Sequence, residues 1–210
     1  MSNSDDLGAK IAEVVAKPAD KLLVAYFNPE GRFAGTTFDD LPGNPRDEFS
    51  PSDLVAASLL DVRFKPQAVR ALLCDQAHFY SKCLAPIPDN RDLWKASADE
   101  LALANALWEQ VIKLPDIGET RTSKLLARKR PRLIPIVDSV IRAALPLGNN
   151  TWESLRSALQ DEELRRSIEA IRPRQLAPTT SILRLLDAAT WMRYSKSKNA
   201  RQARNDAGLD

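Results

Sequence analysis

The residue types whose spacing allows chemistry are concentrated in residues 107–142. An apolar stretch ends at Leu114-Pro115-Asp116-Ile117-Gly118, and a second helical stretch begins at once. Pro115 has no amide hydrogen with which to continue the first helix. Ile117 is placed to pack in the angle between two helices. Gly118 removes a Cβ where the second helix starts close to another backbone. The unpaired amides at the start of that helix attract phosphate. Arg121 and Lys124 lie within its first two turns, and the run continues through Arg128, Lys129, Arg130 and Arg132. That makes six cations between 121 and 132 without one acid. Exposed charge of this density suits a phosphate backbone; the alternative is a solvated helix face. Asp138 follows in Ile134-Pro-Ile-Val-Asp138, 20 residues past Gly118. A carboxylate at such a position can stabilise developing positive charge. Equally, it can sit at a helix N-terminus as a favourable charge.

The elements that position these residues are helices. Ala, Leu and Arg dominate the chain, whereas 7 glycines in 210 residues and 6% aromatics are few for a strand-rich fold. Apolar spacing predicts helices over 6–27, broken at Pro18, and from Ser50-Pro51-Ser52-Asp53, where Asp53 reads as part of a cap. Further helices are predicted from Pro66 to Pro86, from the capping box Ser97–Glu100 to Ile112, and over 119–129 and 136–145. The remaining ones start at Thr151, read as a cap, and cover 162–171 and 179–194. Residues 28–50, rich in Pro, Gly and Asp, are irregular; 32–38 could be extended but is too short to support a sheet alone. The expected class is all-α, with nine or ten helices.

Composition narrows the function. The net charge of +2 divides into −6 over residues 1–61 and +8 over 62–210. No run approaches the roughly 18 apolar residues of a membrane span, and Met1–Lys10 is polar, unlike a secretory leader. Cys74, His78 and Cys83 fit no standard ligand spacing, so no metal and no cofactor is expected. Two packed, reduced thiols and a partly buried imidazole are the expectation, with a cytoplasmic location.

The hairpin Leu114-Pro115-x-Ile117-Gly118 and the downstream Pro135-Ile-Val-Asp138 resemble the helix-hairpin-helix motif of the DNA glycosylase and endonuclease III superfamily. The likeness is specific over about 35 residues. The whole chain is also similar to an actinobacterial family of helical proteins with no assigned function. The glycosylase resemblance implies a two-lobed fold. A central helix-hairpin-helix lobe would span 62–148. Residues 1–61 and 149–195 would form the other lobe, and 196–210 would be a disordered basic tail. It implies duplex DNA as partner, contacted by Leu114, Pro115, Ile117, Gly118, Arg121, Lys124, Arg128, Lys129, Arg130 and Arg132. It also implies base excision, with Asp138 catalytic. Trp94, Trp108, Trp152, Trp191 and Tyr194 are the candidates to hold a flipped base, and Asp187 shares a helix face with Trp191.

The chain departs from that family's pattern at four points. Asp116 replaces a glycine, and Thr120 stands where lyase-active members carry lysine. Ser139-Val-Ile-Arg142 differs from the usual Thr-His stretch, and no four-cysteine cluster loop follows. The implied enzyme is therefore monofunctional. The rival readings are a non-enzymatic regulatory or protein-interaction protein on a similar scaffold, and a helical module whose acidic 1–61 half meets a basic partner. A cleft-floor Asp138 would favour the enzyme; an Asp138 bound to backbone amides or to Arg142 would favour the scaffold.

Overall fold

The computed structural model describes residues 3–209, and its regular structure is entirely helical, with no strand among the described residues. In chain order the α-helices are α1 (Asn3–Val15), α2 (Ala19–Tyr26), α3 (Gly35–Asp40), α4 (Pro51–Ser58), α5 (Pro66–Arg70), α6 (Ala77–Leu84) and α7 (Ala98–Ile112). They continue as α8 (Glu119–Lys129), α9 (Ser139–Ala144), α10 (Thr151–Ala158), α11 (Glu162–Ala170), α12 (Ile182–Tyr194) and α13 (Lys198–Ala207). A single π turn, Ala71–Asp75, joins α5 to α6, and a 3-10 turn covers Leu93–Lys95.

Local chemistry accounts for most of the boundaries. Pro18 separates α1 from α2, as its missing amide hydrogen requires. Ser50 and Ser97 each cap a helix with a reciprocal box, to Asp53 and Glu100 respectively. Three expectations are corrected. Residues 32–38 are not one extended stretch, because α3 begins at Gly35. There a Cβ would lie 2.5 Å from the Tyr26 carbonyl oxygen, so only glycine lets the chain turn so close to α2. Asn150, not Thr151, caps α10 by accepting from the Glu153 amide. The tail expected to be disordered forms α13. Ser197 caps it, Ala200 and Arg204 are buried, and Gly208 ends it at φ +78°.

The chain divides into two compact units. One comprises the residues up to Thr36 together with those from Val137 onward. Its central element is α12, which packs on α1, α2, α9, α11 and α13 and is apolar on most sides. Leu7, Ile11 and Val14 of α1, Leu22 and Leu23 of α2, and Leu185, Ala189 and Met192 of α12 are fully buried. The other unit is Thr37–Ile136. There α8 packs on α4 and α7, and α7 on α6, around Leu72, Leu84, Leu107, Leu125 and Leu126.

The units part at 36/37 and 136/137, not at the expected 61/62 and 148/149. Residues 37–61 belong with the central segment because they are bound to the end of α8. Residues 137–148 belong with the chain ends because α9 packs on α12.

Candidate nucleic-acid interface

Within the unit 37–136, α7 runs into a tight turn and then α8, and the two helices pack together. The Leu114 amide donates to the Val111 carbonyl at 3.1 Å and the Ile117 amide to the Leu114 carbonyl at 3.0 Å. Leu114 and Ile117 are buried, while Pro115, Asp116 and Gly118 are exposed. Asp116 adopts φ +60°, a left-handed conformation that its short polar side chain tolerates. Gly118 is the extended N-cap of α8, which no side chain caps. No heavy atom lies within 4 Å of where its Cβ would stand. The glycine therefore does not relieve crowding inside the chain, contrary to the expectation.

The six cations of the basic run do not form an exposed strip. Lys124 is 6% exposed, and its Nζ donates to the Leu60 carbonyl at 2.6 Å. Arg128, Lys129 and Arg130 are 5%, 4% and 0% exposed. Arg128 donates to the carbonyls of Phe38 (2.7 Å), Asp39 and Leu41. Lys129 Nζ donates to Asn44 Oδ1 (2.7 Å), the Pro45 carbonyl (2.6 Å) and Asp53 Oδ2 (2.8 Å). Arg130 reaches the carbonyls of Arg46, Leu84 and Ile87 at 2.7–2.9 Å. Burial lowers the pKa of all three side chains, against the raising effect of Asp53 on Arg128 and Lys129 and of Asp47 on Arg130. The C-terminal carbonyls of α3 and those of the irregular stretch 41–47 have few backbone donors of their own, and the end of α8 supplies them. These cations are thus the internal support of a loop and not a contact surface.

Two cations of the run keep partial exposure. Arg121 folds back on the turn, donating to the carbonyls of Asp116 and Arg63, each at 2.7 Å. Arg132 pairs with Asp92 at 2.5 Å. The contact with Arg63 shows what the sequence reading missed. The 61–65 segment, turned by Asp61 at φ +60°, lies beside the hairpin. Lys65 Nζ is 2.7 Å from Asp116 Oδ2 and neutralises the acid in the turn. Arg63, Lys65 and Lys113 are exposed. Nothing in the local pattern of Arg63-Phe-Lys65 announces its neighbour more than 50 residues away.

Asp138 lies in the other unit, as the N-cap of α9. Its Oδ1 accepts from the amides of Val140 (2.9 Å) and Ile141 (3.0 Å), and the residue is half-buried. Arg142 Nη2 donates to Thr151 Oγ1 at 3.2 Å. Asp187 is buried and paired with Arg184, whose other nitrogen donates to the Tyr26 hydroxyl at 3.1 Å. Trp191 packs on Tyr26 and Phe33, Trp152 is buried, and Tyr194 donates to Glu13 at 2.7 Å. Trp94 and Trp108 are half-buried in the central unit.

Cys74 and His78 are exposed and not packed as expected, because the π turn and the start of α6 carry them on an outer face. Among the described residues no three His, Cys, Asp or Glu side chains gather as metal ligands. No helix among them is long and apolar enough to cross a membrane.

Residues 19–194 match a family of unknown function (DUF6308), and the chain belongs to that family. No curated protein and no solved structure matches it.

Proposed function

We propose that this protein binds the phosphate backbone of duplex DNA through the α7–α8 turn and performs no chemistry on the bases. The observation that carries this reading is the open, uncapped start of α8 at Gly118, with Arg63, Lys65 and Arg121 gathered at the same turn. Helix-start amides and nearby cations together attract phosphate without reading sequence. Asp138 is accounted for by capping: two amide hydrogen bonds to one oxygen are what an N-terminal Asp supplies to a helix.

Binding to a short fluorescent duplex, measured by anisotropy at several salt concentrations, tests the reading. The logarithm of the affinity should fall linearly with the logarithm of salt. Arg63→Glu with Lys65→Glu should weaken binding uniformly across sequences and reduce the salt slope by about two. No binding at low salt would overturn it and direct attention to a protein partner.

Base excision is a second reading, supported by the spacing of Asp138 and its partial exposure. It requires alkali-sensitive cleavage of a damaged duplex after incubation with the protein. That cleavage must be lost in Asp138→Asn, which keeps the helix cap. Cleavage that survives the substitution sinks it.

A further inference from the structure

Within the unit formed by the two chain ends, α2, the loop 28–33 and α13 border an open cleft of about 620 Å³. That volume is in the range of small-molecule sites. Its walls are fixed by local chemistry. The Gly31 amide donates to the Asn28 carbonyl at 2.9 Å and the Glu30 amide to Asn28 Oδ1 at 3.0 Å, closing a tight turn. Thr36 Oγ1 donates to the Phe27 carbonyl at 2.6 Å, and Gly35 sits against Tyr26, so both ends of the loop are tied to α2. Opposite, α13 is held by Arg204, which donates to the carbonyls of Met192 and Ser195.

The lining combines three kinds of group. Lys21 and Arg32 are exposed cations that enter no ion pair among the described residues. Phe33 presents an aromatic surface, backed by Tyr26 (centroids 5.7 Å apart, 29° between planes) and by Trp191 edge-on at 6.1 Å. Asn28, Asn199 and Asp206 add amide donors and a carboxylate acceptor, the last held by Gln202 at 2.8 Å. Two cations ask for a compact anion of more than one charge. A braced aromatic asks for a planar ring. A carboxylate that accepts hydrogen bonds asks for hydroxyl groups between them.

We infer that this cleft binds a nucleoside monophosphate, with the phosphate at Lys21 and Arg32, the base on Phe33 and the ribose hydroxyls toward Asp206. The site shares no residue with the α7–α8 turn and lies in the other unit, so it stands or falls apart from DNA binding.

Isothermal titration calorimetry of the full chain with adenosine 5′-monophosphate is the direct test. Saturable binding is expected with a Kd at or below about 1 mM. Adenosine and inorganic phosphate should each bind at least about tenfold more weakly, a 1.4 kcal/mol difference. Lys21→Ala with Arg32→Ala, both exposed, should lose at least tenfold in affinity for the nucleotide. Phe33→Leu should weaken adenosine 5′-monophosphate while leaving inorganic phosphate unchanged. Arg63→Glu with Lys65→Glu should leave nucleotide binding intact. Absence of saturation at several millimolar overturns the inference. So does binding that persists in the Lys21/Arg32 variant, or that disappears in the Arg63/Lys65 variant.

Discussion

Lys129 shows how a residue can carry charge and yet face no solvent. Its ammonium, buried at the end of α8, sits on Asp53, whose carboxylate is itself fully buried. Breaking such a pair strands a charge, and Arg128 Nε, 3.7 Å from the same carboxylate, shares Asp53 with Lys129. Lys129→Met should therefore destabilise the protein by about 3–5 kcal/mol. Asp53→Asn added to it should recover part of that loss; equal urea midpoints for the single and double variants would refute the pairing. The pH dependence has a definite sign. Burial holds the Lys129 pKa below its ordinary 10.5, so between that lowered value and 10.5 the unfolded chain binds more protons than the folded one. The stability that Lys129 contributes rises with pH across that window. The gap between wild type and Lys129→Met in urea melts should widen on going from neutral pH toward 10. Asp138 is a milder case: Asp138→Ala should cost about 1 kcal/mol as a lost cap, and Asp138→Asn much less.

The helices divide into those that local signals specify and those that distant partners complete. Ser50 and Ser97 announce α4 and α7, because a cap and its reciprocal acid lie three residues apart in the chain. The turn between α7 and α8 was legible for the same reason, since Pro115 and the left-handed Asp116 act within that one turn. The burial of Arg128–Arg130 was not legible. Their partners are carbonyls of residues 38–47 and of 84 and 87, and a backbone carbonyl carries no residue signature. Helix α13 escaped for a related reason. Its residues are polar nearly throughout, and only Ala200 and Arg204 turn inward. Arg204 bonds two carbonyls left over at the end of α12, so Arg204→Ala should cost about 1–3 kcal/mol and fray α13. Thermal melts and amide exchange at residues 198–207 would show it; unchanged protection there would mean that α13 is held by other contacts.

At the scale of the molecule, part of the sequence's charge asymmetry is met within the unit 37–136. Acids of the first third, Asp47 and Asp53, meet cations of the basic run inside the unit 37–136. The main ties of that run close within the same unit, which is long enough to bury a core of its own. A chain of residues 37–136 should therefore unfold cooperatively in urea by itself; a broad, non-sigmoidal transition would show that it depends on the remainder. The other unit is made from both ends of the chain, with α12 as the element that α1 and α2 share. During synthesis this imposes an order of events. The apolar faces of α1 and α2 leave the ribosome first, yet their covering helix is translated more than 150 residues later, after the whole of 37–136. At roughly 5–20 residues per second the nascent chain holds those faces uncovered for about ten seconds or more. The segment 37–136 is thus complete in the nascent chain before α12 exists to cover α1 and α2.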